Sequence, residues 1–179
     1  QKHNVITCGS QINDKIIKLW NLEALNWEIT PQNIFRGNAT LLQKVMAELP
    51  EGWQPDFYLW VETGLSDIPV DLCKHDLPKI CYLIDTHINF DRHLEIAGNF
   101  DFVFLAQKAY VQPMIQAGIK NVMWLPLACD PEIHGKVKVD KEFDVGFVGS
   151  ISSTLDRRKN LLEKLKKQFV LELKCLEKF

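Results

Sequence analysis

The stretch Ile80-Cys81-Tyr82-Leu83-Ile84-Asp85-Thr86-His87 joins a short apolar run to three polar residues. An apolar run that stops abruptly at polar residues is typical of a strand buried in a parallel sheet. Similar runs occupy residues 57–61, 102–105 and 122–125, at intervals of roughly twenty residues. This recurrence predicts an α/β fold, Rossmann-like, with a mostly parallel sheet and flanking helices.

Amphipathic segments between these runs predict the helices. Residues 39–49 carry an apolar stripe and end at Pro50-Glu51-Gly52. Residues 108–117 form a second such segment, which Pro113 restricts and Gly118 ends. A first strand is predicted over residues 4–8.

The pattern changes after Leu125. Residues 131–142 are charged and poorly periodic, which predicts a surface linker. A strand over 143–148, a helix over 155–167 and a last strand over 169–173 follow it. We therefore predict a Rossmann-like domain over residues 1–130, a linker over 131–142, and the first βα unit of a second domain over 143–179.

Composition excludes several classes of protein. The 179 residues are 46% hydrophobic and 25% charged, as in globular proteins, and no apolar run approaches the ~20 residues of a membrane helix. A net charge of −2 argues against nonspecific nucleic-acid binding. The five cysteines are odd in number and widely spaced, which predicts neither a disulfide framework nor a zinc site and favours a reducing cytoplasm. The sequence lacks GxSxG, HExxH and CxxC motifs.

Polar residues that directly follow the apolar runs are the candidate site residues. In open parallel sheets, ligands bind outside the carboxyl ends of the strands, where loops and helix N-termini converge. The residues at such positions are Gly9, Ser10, Glu62, Asp85, His87, Asp130, Gly149 and Ser150. Three alternatives stay open here, because Asp85 also suits a helix cap, His87 also suits a satisfied loop residue, and Glu62 also suits a surface or structural role.

The turn at Gly149-Ser150 precedes a helix that begins with basic residues. Small residues let backbone amides approach an anion, and the helix dipole attracts it. Arg157 or Arg158 could then grip phosphate oxygens in a bidentate manner. The turn is neither a Walker A loop nor a GxGxxG fingerprint, so a solvated helix N-terminus is the alternative.

An ordered series of motifs resembles the group 1 glycosyltransferases, in the branch described as spore-maturation-type or spore-protein-type. The series consists of residues 55–59, 82–87, 100–104, 121–131 and 143–150, followed by Arg157-Arg158. It covers roughly residues 55–162, whereas residues 1–54 match poorly.

The resemblance implies a GT-B architecture, in which two Rossmann-like domains face each other across a cleft. The chain would be the acceptor half plus the start of a truncated nucleotide-sugar-binding half, and inactive by itself. Asp85 and His87 would line the cleft in a catalytic role, Gly9-Ser10 would form the first-strand glycine loop, and Gly149, Ser150, Arg157 and Arg158 would contact the diphosphate. The partners implied are a nucleotide-sugar donor and a glycan or protein acceptor, with retaining transfer, no DxD-bound metal and no cofactor. The alternative is a noncatalytic module that binds a nucleotide, glycan or protein.

Overall fold

A computed structural model of the chain describes residues 3–10, 14–19, 32–35, 41–62, 68–132, 135, 138, 140, 143–149, 156–169 and 171–175. The chain divides into two compact units, Gln1–Ala128 and Cys129–Phe179. Ser150, the start of the predicted helix over 39–49 and most of the predicted linker over 131–142 lie outside the described residues. Each unit is described by itself below.

The first unit is built around parallel strands. In chain order, its elements are β1 (Cys8–Gly9), α1 (Asp14–Leu19), β2 (Ile34–Phe35), α2 (Leu42–Met46), β3 (Tyr58–Val61), β4 (Lys79–Leu83), α3 (Phe90–Ala97), β5 (Phe102–Leu105), α4 (Val111–Gln116) and β6 (Val122–Trp124). Short 3₁₀ helices occupy Leu72–Lys74 and Lys108–Tyr110.

A four-stranded parallel sheet with the order β3-β4-β5-β6 forms the centre of this unit. Its register aligns Trp60 with Cys81, Cys81 with Val103, and Val103 with Val122. Strands β1 and β2 form a separate parallel pair. The predicted α/β, Rossmann-like class is therefore confirmed, and the four central strands lie within two residues of their predicted bounds.

One face of the central sheet carries the core. Because side chains alternate across a strand, every second residue points to the same face. The fully buried strand residues on that face are Cys81, Leu83, Val103 and Leu105, and Ala97 of α3 and Met114 of α4 pack in the same cluster. The alternate positions, among them Leu59, Val61, Phe102 and Met123, are partly exposed. The helices of the core cluster thus cover one face of the sheet.

Helix α2 is shorter than its amphipathic stripe. The sequence predicts a helix over 39–49, and the helix within the described residues is Leu42–Met46. Its start is fixed by the buried carboxylate of Asp71, which accepts the backbone N–H of Leu42 at 2.7 Å and of Gln43 at 3.0 Å. These N–H groups belong to the first turn, which has no partner inside the helix.

The segment predicted as a helix over 108–117 is divided. It begins as 3₁₀ helix at Lys108–Tyr110 and continues as α4. Pro113 lies in the first turn of α4, where its missing N–H costs no helical hydrogen bond. Gly118, at a φ of +98°, follows the last turn, as a left-handed residue commonly does.

The second unit contains β7 (Val145–Gly149), α5 (Asp156–Lys166) and β8 (Leu171–Cys175). Strands β7 and β8 pair in parallel, so the three elements form a βαβ unit, and Leu162 of α5 is buried. None of the helices that the structure describes has the length and apolar character to cross a membrane.

Candidate functional site at the carboxyl edge of the sheet

The segments that follow the central strands lie together at one edge of the sheet, here called the carboxyl edge. Backbone hydrogen bonds extend the ladders beyond the strands: Glu62 donates to the Tyr82 carbonyl, Ala106 to Leu83, and Leu125 to Leu105, each at 3.0 Å. The residues after β3, β4, β5 and β6 are therefore held next to one another.

Asp85 and His87 lie in a tight turn at this edge. Asp85 has a φ of +59°, in the left-handed region that aspartate tolerates better than most residues. The Ile88 N–H donates to the Asp85 carbonyl at 2.9 Å and closes the turn, residues 85–88, which we call the Asp85 turn. The Asp85 side chain is 57% exposed and that of His87 49%, with Oδ1 and Nδ1 4.0 Å apart. The two predicted residues are thus neighbours that face solvent.

Glu62 lies at the same edge but points inward. Its side chain is only 14% exposed. Oε2 accepts the backbone N–H of Ile84 at 2.9 Å and lies 3.4 Å from Nε2 of His93. The Glu62 carboxylate therefore links β3 to the end of β4 and to α3.

His93, on α3, is the residue of this region that sequence reasoning missed. Its side chain is 1% exposed, and Nδ1 lies 3.1 Å from Oγ1 of Thr86, which is fully buried. Burial lowers the pKa of His93, and the opposing attraction of the Glu62 carboxylate does not reverse that shift. A neutral imidazole is therefore favoured. The signal in the sequence is the spacing of Phe90, His93, Leu94 and Ala97, which places them on one face of a helix.

The next two strands complete the edge. The side-chain oxygen of Gln107, after β5, accepts the Thr86 N–H at 3.3 Å. The indole N–H of Trp124, at the end of β6, donates to the Ala106 carbonyl at 3.2 Å, and the Lys108 ammonium lies 5.0 Å from the centre of the Trp124 ring. This contact is a cation–π interaction, and it places a positive charge at the carboxyl edge.

The remaining predicted residues belong to other segments of the chain. Gly9 ends β1 and Ser10 follows it. Asp130 belongs to the second unit, where its Oδ1 accepts the Glu132 N–H at 2.9 Å in a local turn.

Gly149 ends β7, and Arg157 and Arg158 are exposed in the first turn of α5. The Arg158 guanidinium lies 5.9 Å from the Phe147 ring centre. Two arginines beside a helix N-terminus combine direct charge with the helix dipole.

The structure also bears on metal binding and on thiol chemistry at Cys81. No group of three or more His, Cys, Asp or Glu side chains there is arranged to hold a metal ion. The Cys81 thiol is fully buried, and burial raises its pKa to about 12, so little of it is in the reactive thiolate form.

The exposed pair at the Asp85 turn has a clear chemical capacity. A carboxylate accepts hydrogen bonds from hydroxyl groups, and an imidazole both accepts and donates them near neutral pH. Polyhydroxylated ligands offer many such groups. No protein-family model, curated protein or solved structure matches this chain.

Proposed function

We propose that this chain is part of a glycosyltransferase that transfers a sugar from a nucleotide-sugar donor to a glycan or protein acceptor in the cytoplasm. The observation that carries the proposal is the Asp85–His87 pair, exposed in a left-handed turn at the carboxyl edge of a parallel sheet. This is the edge at which open α/β sheets bind ligands.

The first unit has the acceptor-side role in this proposal. The Asp85 carboxylate accepts hydrogen bonds from sugar or acceptor hydroxyls, and His87 makes a second contact beside it. Both residues orient the reacting hydroxyl, because the leaving phosphate of the donor can accept its proton. No covalent intermediate on Asp85 is required.

The second unit has the donor-side role. The β7–α5 segment supplies small-residue backbone at Gly149 and two exposed guanidinium groups, those of Arg157 and Arg158. These groups stabilise the negative charge that develops on the leaving diphosphate as the sugar passes through an oxocarbenium-like state. Fixed cations of this kind suit a metal-independent, retaining transfer.

Calorimetric titration of the chain with uridine, guanosine and adenosine diphosphates tests the donor-side role. We expect one nucleotide to bind and the Arg157→Ala/Arg158→Ala variant to bind it at least tenfold more weakly, since charge-assisted bonds to phosphate are lost. The matched control is Lys164→Ala/Lys166→Ala, which removes the same charge from the last turn of α5. Equal weakening in the control variant would mean that nucleotide binding depends only on the net charge of the chain. Unchanged binding by the arginine variant would mean that Arg157 and Arg158 do not contact the diphosphate.

Release of nucleoside diphosphate from a panel of nucleotide sugars, by the complete enzyme of which this chain is proposed to be part, tests the activity. Asp85→Asn is expected to reduce turnover at least tenfold, whereas Asp56→Asn, an exposed position before β3 at the opposite edge, is expected to leave it unchanged. Binding of a nucleotide without turnover of any donor would instead support a noncatalytic binding module.

A further inference from the structure

A continuous chain of polar contacts runs from β3 through the interior to the Asp85 turn. It begins at Glu62, passes through the imidazole of His93, and ends at the Thr86 hydroxyl, with distances of 3.4 Å and 3.1 Å. His93 and Thr86 are buried, so neither side chain can touch a substrate. Any effect that they have on the site must act through the turn.

The direction of each hydrogen bond follows from the chemistry of the groups. An ionised carboxylate only accepts, so Nε2 of His93 carries the proton that is donated to Glu62. A neutral imidazole then presents Nδ1 as an acceptor, and the Thr86 hydroxyl must donate to it. The Thr86 hydroxyl is thereby fixed in direction.

Both the side chain and the backbone of Thr86 are bonded to neighbouring elements. Its hydroxyl is bonded to α3, and its backbone N–H donates to Gln107 after β5. Asp85, the preceding residue, has the left-handed backbone, which is less favourable than the ordinary regions for a residue with a Cβ. A strained residue persists only when its surroundings determine it, and both neighbours of Asp85 are bonded: Ile84 through its N–H to Glu62, and Thr86 through its hydroxyl and its N–H.

We propose that His93 is a positioning residue that acts through Thr86 to hold the Asp85 turn in the conformation that presents the Asp85 carboxylate. The role of the presented carboxylate rests on the proposed function, whereas the conformation of the turn does not. The charged groups that face His93 are Glu62 from β3, Arg92 from its own helix and Asp85 from the turn.

The imidazole ¹⁵N spectrum of the wild-type chain at pH 7.5 tests the direction of the bonds without any substitution. We expect the signals of His93 to show a proton on Nε2 and a bare Nδ1 that accepts a hydrogen bond. A bare Nδ1 that accepts no hydrogen bond would overturn the proposal, because His93 would then not hold Thr86.

Hydrogen exchange of the Ile88 amide tests the hold on the turn, since that amide donates to the Asp85 carbonyl. Thr86→Val removes the hydroxyl and keeps the shape, whereas Thr86→Ser keeps the hydroxyl. We expect exchange at Ile88 to rise at least tenfold in Thr86→Val and to stay within twofold of the wild type in Thr86→Ser.

The control amide is that of Ala106, which donates to Leu83 in the adjoining ladder. A purely structural role for Thr86 would raise exchange at Ala106 as much as at Ile88, and that result would overturn the proposal, as would a Thr86→Val variant that exchanges like the wild type. Should Thr86→Val fail to fold, the wild-type spectrum still decides. A turn that loosens as expected, in a complete protein that turns over no donor, would reject the proposed function alone.

Discussion

The carboxyl edge of the first unit and the β7–α5 segment of the second unit present their candidate residues in different ways. At the carboxyl edge, the exposed Asp85 stands on a turn whose next residue is bonded into the interior. In the β7–α5 segment, Arg157 and Arg158 project from the exposed surface of one helix. The geometry of the candidate site in the first unit therefore depends on buried hydrogen bonds, whereas the arginines of the second unit depend on the helix that carries them.

The largest loss of stability is expected from Leu83→Ala, which creates a cavity in the core close to the Asp85 turn. Leu83 ends β4 and is fully buried, so Leu83→Ala should lower the free energy of unfolding by about 2–5 kcal/mol. Urea denaturation measures this loss. The contrast is Leu161→Ala on α5, where the side chain is 56% exposed and the expected change is within about 0.5 kcal/mol. Similar losses of stability in Leu83→Ala and Leu161→Ala would contradict the difference between the buried and the exposed position.

A buried carboxylate should matter more to stability than the exposed one. Asp71→Asn replaces one of the two oxygens that accept backbone N–H groups with an amide donor, which should cost about 2 kcal/mol. Asp85→Asn, at the exposed turn, should cost little by the same denaturation assay. The comparison is contradicted if Asp85→Asn is the more destabilising change.

The Asp71 carboxylate should also make the free energy of unfolding depend on pH in the acid range. Burial opposes the charged form of Asp71, but the backbone N–H groups of Gln43 and Leu42 outweigh it and lower the pKa to about 2. The contribution is present above the unfolded-state value of about 3.9 and is lost as the pH falls through the folded-state value. Unfolding curves between pH 5 and pH 2, compared with Asp71→Asn, should show this component in the wild type alone.

A smaller pH effect is expected at His93. Burial lowers its pKa in the folded chain, so the unfolded chain binds the proton more readily. Stability should therefore be unaffected above the ordinary value of about 6.5 and should fall as the pH is lowered from there. The difference between the wild type and His93→Gln, measured at pH 7.5, 6.5 and 5.5, isolates this contribution from the other histidines. A difference that does not change with pH would mean that His93 is not buried in neutral form.

The smallest effect is expected at Trp124, on the outer part of the carboxyl edge. Trp124→Phe removes the indole donor to Ala106 and weakens the contact with Lys108, so a loss of about 1 kcal/mol is expected in thermal or urea unfolding. A loss as large as that of Leu83→Ala would place Trp124 in the core rather than at the rim.

The sequence predicted the central strands because their buried faces leave continuous apolar runs, as in residues 80–84. It did not predict α3, because the helix is short and the polar His93 interrupts the apolar stripe to which Leu94 and Ala97 belong. The bounds of α2 were missed for a similar reason, since Asp71 caps that helix from 29 residues along the chain.

The candidate site was predictable to the same degree. Asp85 and His87 could be found because they directly follow a strand, and position relative to a strand end is visible in a sequence. The contact between Glu62 and His93 could not be found, because it depends on how α3 packs against the sheet. The position of a residue after a strand therefore identifies the exposed candidates from the sequence. The buried residues that support them are identified only by how the helices pack on the sheet.

The proposal that the Asp85 turn contacts a nucleotide-sugar donor is tested most directly by hydrogen exchange. Exchange is measured with and without nucleotide sugars that carry uridine, guanosine or adenosine diphosphate. We expect at least one donor to slow exchange in the Asp85 turn. Protection confined to the opposite edge of the sheet, or absent from the Asp85 turn with every donor, would show that the turn is not the donor site.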